Sequence, residues 1–385
     1  MENRLNPTVH ELKISGIRQF FQKVAQYENV LNCTIGLPDF HTPDHIKQAT
    51  KQAVDENATT YTPNAGRLDL REAACAYGIQ KYGYDYDPLT EVIVTVGASQ
   101  ALDVALRTVV SPGDEVLLPA PIYPGYEPLI RLAGGHPVFL DVKDTGFRLS
   151  AQSVQQAITE KTKALILPYP SNPTGTTMQE HDLKELADCL RGTDIFVIAD
   201  EIYSELVYEY PHVSISSYLR EQTLVINGLS KSHAMTGYRV GLLFGPASIL
   251  QHCLKVHQYN VSCASSVSQR AALTALTVGV NDAFEMREVY KKRRDLCMNL
   301  LTQWSVEVAP PDGAFYLFIK TPSVDSTAFC NYLLETERVA VVPGDAFSSF
   351  GQGYIRLSYA SHENVLMEAL RRMKPYLTGE KVVPS

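Results

Sequence analysis

The sequence predicts an α/β protein with two parts: a large domain on a mainly parallel, helix-covered sheet of seven strands, and a smaller α+β domain. Three observations carry this expectation. From about residue 90 to 245, short apolar β-rich runs alternate with longer polar-apolar segments of helical period. After residue 285 that rhythm stops. The chain has 385 residues, more than the roughly 250–300 over which a single hydrophobic core keeps growing.

The seven strands are read from EVIVTVG (91–97), DEVLLPA (114–120), HPVFLDV (136–142), KALILPYP (163–170), IFVIAD (195–200), TLVING (223–228) and RVGLLFG (239–245). Helical patterns such as SQALDVALRTVV (99–110) and QEHDLKELADCLR (179–191) lie between them, the rhythm of β-α units. In such sheets ligands bind beyond the carboxyl ends of the strands. The smaller domain begins with a long charged helix, MREVYKKRRDLCMNLLTQW, followed by VEVA, GAFYLFIK, a helix, VAVVPG, YIRLSYA and a last helix. The first forty or so residues are too few for a domain of their own, and NPTVHELKISGIRQFFQKVAQ has helical periodicity. The expected division is 46–284 for the large domain, with 1–45 and 285–385 forming the N-terminal segment and small domain.

Composition excludes several classes. Hydrophobic residues are 45% and charged residues 20% of the chain, which rules against extensive disorder. A net charge of −8 repels nucleic acid and acidic membrane surfaces, so a bound phosphate must be held locally. The N-terminus has no continuous apolar stretch for a signal peptide or membrane anchor, and the chain is expected in the cytoplasm. Seven scattered cysteines without a C-x-x-C pair argue against a disulfide framework or a zinc site, and no metal is expected.

Five segments carry chemistry. In NGLSKSHAMTGYR (227–239) a strand runs into a loop holding Ser230 and Lys231, with Arg239 eight residues on. Taken alone, Lys231 is more often a solvated surface lysine, and Ser230 stands where a P-loop needs glycine. IADEIYSEL (198–206) puts Asp200 at the end of an apolar strand, a costly place for a carboxylate, with Tyr203 three residues on; a helix cap is the plain alternative. YPSNPTG (169–175) holds Asn172 in a stiff turn. VTVGASQALD (94–103) runs from strand through Gly97, Ala98 and Ser99 into a helix whose free N–H groups suit an anion, though it reads equally as an ordinary turn. YIRLSYA (354–360) buries Arg356, whose forked donors match a carboxylate, of a substrate or of the protein itself.

Together with YTPNAG, these segments follow one another as they do in the class I aminotransferases of fold type I, which the chain resembles over essentially its whole length. The closest likeness is to bacterial N-acetyl-LL-diaminopimelate aminotransferases and related aromatic and aspartate aminotransferases. The resemblance implies pyridoxal 5′-phosphate as cofactor, bonded to Lys231, which also shuttles the Cα proton. Asp200 would pair with the pyridine nitrogen, Tyr203 and Asn172 would bind the phenolic oxygen, and Tyr123 would stack on the ring. Ala98, Ser99, Ser230 and Arg239 would hold the phosphate, with Tyr61 reaching it from the neighbouring subunit of a homodimer. Arg356 would grip the substrate α-carboxylate, with Asn172 and the backbone of Gly36 around it. An amino acid and a 2-oxo acid, 2-oxoglutarate being the expected acceptor, would react in alternation.

One departure bears on the substrate. Some aspartate-specific relatives carry a lysine in the Gly-rich turn where this chain has Ser99, which disfavours strict aspartate specificity and leaves acetyl-diaminopimelate and aromatic substrates open. A C–S lyase of the same fold would keep the anchoring residues. A regulator with a DNA-binding domain needs more than the forty residues that precede the body. A nicotinamide dehydrogenase needs the G-x-G-x-x-G that no strand here is followed by.

Overall fold

A computed structural model describes Met1 and residues 4–383; residues 2–3 and 384–385, of the expected N-terminal segment and small domain, lie outside it. Twelve strands are formed among the described residues: β1 (Leu31–Asn32), β2 (Val92–Thr95), β3 (Glu115–Ala120), β4 (His136–Asp141), β5 (Thr162–Leu167), β6 (Phe196–Asp200), β7 (Thr223–Gly228), β8 (Gly241–Phe244), β9 (Tyr316–Lys320), β10 (Val339–Ala340), β11 (Val342–Pro343) and β12 (Tyr354–Ser358). All seven strands expected between residues 90 and 245 are present and make one sheet, in the order β2-β8-β7-β6-β5-β3-β4. Every neighbouring pair is parallel except those of β8, which runs against both β2 and β7.

Both faces of this sheet are covered, which is why its strands read as unbroken apolar runs rather than alternating ones. Successive side chains point to opposite faces. Val94, Leu117, Leu165, Val197 and Val225 pack with Leu70, Leu186 and Ala272 from helices Leu68–Tyr82, Glu180–Leu190 and Ser266–Thr277. Ile93, Val116, Ile166, Ile198 and Ile226 pack on the other side with Ala105, Ile130 and Leu250 from helices Gly97–Val109, Tyr126–Leu132 and Ala247–Val261.

A separate core joins the two ends of the chain. Phe20 and Val24, from helix Gly16–Val24, pack with Tyr290 and Leu301 of helix Ala283–Gln303 and with Leu366 and Leu370 of helix Glu363–Leu377. Backbone pairing reinforces the join: β1 runs parallel to β10, Leu31 opposite Val339 and Asn32 opposite Ala340. β11, β12 and β9 form an antiparallel sheet in which Arg356 lies between Val342 and Phe318.

Two readings of local structure are corrected. VEVA makes no strand, only a bridge from Val308 to Ile319, because Pro310 and Pro311 cut off further pairing. The helical stretch near the N-terminus is two helices, Pro7–Glu11 and Gly16–Val24, separated by extended backbone.

Candidate active site

The chemistry-bearing residues collect along one edge of the large sheet. Asp200 ends β6, Gly228 ends β7 just before Lys231, Thr95 ends β2 just before Gly97, and Ala120 ends β3 just before Tyr123. Because β8 is antiparallel, its beginning lies at that same edge, and this brings Arg239 beside Gly97. Gly97 has φ of +77°, and a Cβ placed there would stand 2.5 Å from Arg239 Nη2. The left-handed backbone angle favours glycine here, and its bare Cα lets the guanidinium lie close at the start of helix Gly97–Val109. Arg239 is exposed and is held by one hydrogen bond, Nη1 to the Thr236 carbonyl at 3.1 Å. A cation and the free N–H groups of a 13-residue helix thus face the same space.

Lys231 sits in a short helical turn, Leu229–Ser232, with Ser230 buried next to it. Its Nζ donates to the Gly36 carbonyl at 2.7 Å and lies 5.8 Å from the Tyr203 ring and 5.9 Å from the Phe315 ring. Burial, and then the cations Arg356 and Arg239, pull its ammonium down to about 8 against the opposing pull of Asp200. Asp200 moves the other way. Burial pushes its carboxyl up to about 6, although Tyr126 (2.8 Å) and the Ile202 N–H (3.2 Å) donate to it.

Arg356 is 2% exposed. Nη1 donates to Asn172 Oδ1 at 2.8 Å and Nη2 to the Thr34 carbonyl at 2.7 Å, while Nε is buried without a partner. The guanidinium lies between the rings of Tyr316 (4.4 Å) and Phe347 (4.9 Å), and no acid of the protein pairs with it among the described residues. The internal salt bridge that could have explained a buried arginine is therefore not formed. A charge buried this way is costly unless a ligand completes it.

The other expected residues divide. Tyr203 is buried and its hydroxyl shares a 2.8 Å bond with Tyr316. Tyr123 packs edge-on against Tyr126, with ring centroids 5.5 Å apart. Ala98 and Ser99 open the helix beside Arg239, Ser99 being exposed. Tyr61 is 87% exposed, and the chain does not bring it into hydrogen-bonding contact with this group among the described residues. Three contributors escaped sequence reasoning: Tyr126 on Asp200, Tyr316 between Tyr203 and Arg356, and Phe347 beneath Arg356. Tyr126 and Tyr316 stand within APIYPGY and GAFYLFIK, but nothing in those segments points to partners 74 and 113 residues away.

The family model for aminotransferase class I and II matches residues 28–373. A probable N-acetyl-LL-diaminopimelate aminotransferase of Bacillus subtilis is 55% identical over 383 residues, covering 99% of this chain and 98% of that protein. Aromatic-amino-acid aminotransferase 2 of Thermococcus litoralis is 38% identical, covering 96% and 97% of the two chains. In three dimensions, the aspartate aminotransferase of Thermus thermophilus with maleate superposes with a TM-score of 0.92 at 36% identity, covering 97% of this chain and 99% of that one. The chain belongs to the class I and II aminotransferase family and is an aminotransferase of the fold-type I architecture.

Proposed function

We propose that this enzyme uses pyridoxal 5′-phosphate to move an amino group from N-acetyl-LL-diaminopimelate to 2-oxoglutarate, in a cytoplasmic homodimer whose large domain spans 46–284. Its small domain would comprise 1–45 and 285–385. Members of the family use this cofactor, and the residues present suit it. The single observation that carries the reading is a lysine whose ammonium is weakened to about 8, facing a buried arginine with a donor left open.

When bound, pyridoxal phosphate supplies an aldehyde and a ring that draws electrons from the substrate Cα. Lys231 Nζ would hold the aldehyde and, once released by the substrate amine, accept the Cα proton. A weakened ammonium makes that amine available as a base near neutral pH. Asp200 would keep a proton on the ring nitrogen, a role open to it as a carboxylate above about pH 6. Tyr203 and Asn172 would bind the phenolic oxygen, and Tyr123 would stack on the ring. The N–H groups at Ala98 and Ser99, the Ser230 hydroxyl and Arg239 would hold the phosphate, joined by Tyr61 of a second copy. Arg356 would take the α-carboxylate beside Asn172 and Gly36.

The donor is favoured by the 55% identical relative, while Ser99, which offers no second cation in the Gly-rich turn, speaks only against strict aspartate specificity. The test is a donor panel against the cofactor-loaded enzyme without acceptor, followed by the loss of its visible band. N-acetyl-LL-diaminopimelate should exceed tyrosine, phenylalanine and aspartate in kcat/KM by at least about tenfold, a difference of roughly 1.4 kcal/mol. Equal or better rates with an aromatic donor would transfer the assignment to the aromatic alternative. Release of pyruvate and ammonia from a cysteine-type substrate, with the band retained, would mark a lyase.

A further inference from the structure

The mouth of the site is bordered by the N-terminal segment. Helix Pro7–Glu11 packs on helix Tyr126–Leu132, which supplies the hydroxyl on Asp200. Helix Gly16–Val24 packs on residues 344–347, which end in the Phe347 ring beneath Arg356. The approach at Gly16 is close: a Cβ there would lie 3.2 Å from the Ala346 side chain. Phe347 in turn accepts a hydrogen bond from the Ile122 N–H at 3.3 Å, which ties the same loop to the residue before Tyr123. Arg18, two residues beyond Gly16, stands on the helix that packs against the loop carrying Phe347, the ring beside Arg356. Its nearness shows in the Tyr123 hydroxyl, which burial and then Asp200 hold above its usual range while Arg18 and Arg239 pull it down.

Arg18 is exposed and forms no ion pair among the described residues. Other guanidinium groups around the site are engaged. Arg293 pairs with Asp39 at 2.9 Å, Arg294 with Glu209 at 2.6 Å, Arg239 stands over Gly97, and Arg356 is committed to Asn172 and Thr34. Ser99 brings no charge. We propose that Arg18 is a specificity residue that receives the distal carboxylate of a substrate whose α-carboxylate is held by Arg356. The enzyme would then favour amino acids and 2-oxo acids ending in a carboxylate. This inference rests on the proposed transaminase reading, and it names the substrate class without depending on which dicarboxylate is physiological.

The test uses the cofactor-loaded enzyme and two donors of the same stem, L-glutamate and L-norvaline, the second lacking the distal carboxylate. Arg18→Gln keeps a good helix former at an exposed position, and retention of the visible band reports an intact site. Loss of a charge-assisted contact should lower kcat/KM for glutamate by roughly 10- to 100-fold, mainly through KM. That fall should exceed the fall for norvaline at least about tenfold, and Arg18→Lys should recover part of it. Equal losses for the two donors, or no loss with glutamate, would overturn the inference. If the wild-type band responds to neither donor nor to any of the wider panel, the transaminase reading itself fails, and this inference with it.

Discussion

Lys231 and Asp200 are each held away from their ordinary titration range by burial, in opposite directions, and both shifts have measurable consequences. Only a neutral amine attacks an aldehyde, and the neutral fraction of Lys231 grows as pH rises through about 8. The rate at which cofactor-free enzyme develops its visible band should therefore climb between pH 7 and 8 and level off above, whereas an unshifted lysine would still be climbing near 10. Removing the nearby cation with Arg356→Met should move the midpoint upward, since Arg356 is the largest charge contribution lowering it. Asp200 carries a stability cost instead. Its carboxyl binds a proton more tightly in the fold than in the unfolded chain, so this contribution is fully present below the ordinary carboxylate range near 4 and is lost as pH rises through about 6. For Asp200→Asn, the cofactor-free protein should be at least as stable as wild type at pH 7, by up to about 2–3 kcal/mol. Transamination should fall by about a hundredfold or more. A variant clearly less stable than wild type in urea would show that the carboxylate is instead a structural asset.

At the scale of elements, the strand-to-helix turn at Gly97 and the reversed strand β8 together build the proposed phosphate site. Gly97→Ala would place a methyl group against the Arg239 guanidinium at a backbone angle that L-residues rarely adopt. The expected result is a cofactor dissociation constant raised at least about tenfold, measured by band titration, with kcat at saturating cofactor changed much less. Unchanged affinity would remove Arg239 from the phosphate site. This region also shows what the sequence could and could not disclose. The seven strands of the large sheet were legible because burial on both faces makes each a continuous apolar run, and the residues at their ends followed from where such sheets bind ligands. The two smaller sheets were less so. VAVVPG reads as one run but divides at Val341 into β10 and β11, which pair with β1 and β12 respectively, and no local pattern announces a change of partner. Tyr126, Tyr316 and Phe347 were missed for a related reason. Their roles arise from contacts with residues far along the chain, and a tyrosine or phenylalanine in an apolar strand or turn looks the same whether it lines a site or fills a core.

At the scale of the whole molecule, Arg356 stands on strand β12, and its neighbours Val342, Phe318 and Phe347 pack into the core of the large sheet, whereas Ile355 and Leu357 pack into the core that joins the chain ends. Asp200 ends β6, Lys231 follows β7, and the hydrogen bond from Lys231 to the Gly36 carbonyl ties the N-terminal segment to the same place. Tyr61, almost fully exposed in the single chain, is the residue whose proposed role requires a second copy. No helix among the described residues is long and apolar enough to cross a membrane. The proposed reaction depends on the amine of Lys231. The most direct test is the absorbance spectrum of the protein with pyridoxal phosphate, before and after an amino donor is added without acceptor, for wild type and Lys231→Ala side by side. Wild type should show a visible band that the donor bleaches in stoichiometric amount, and the variant should show neither the protein-linked band nor turnover of it. A variant that forms the same band and bleaches at a comparable rate would contradict the account.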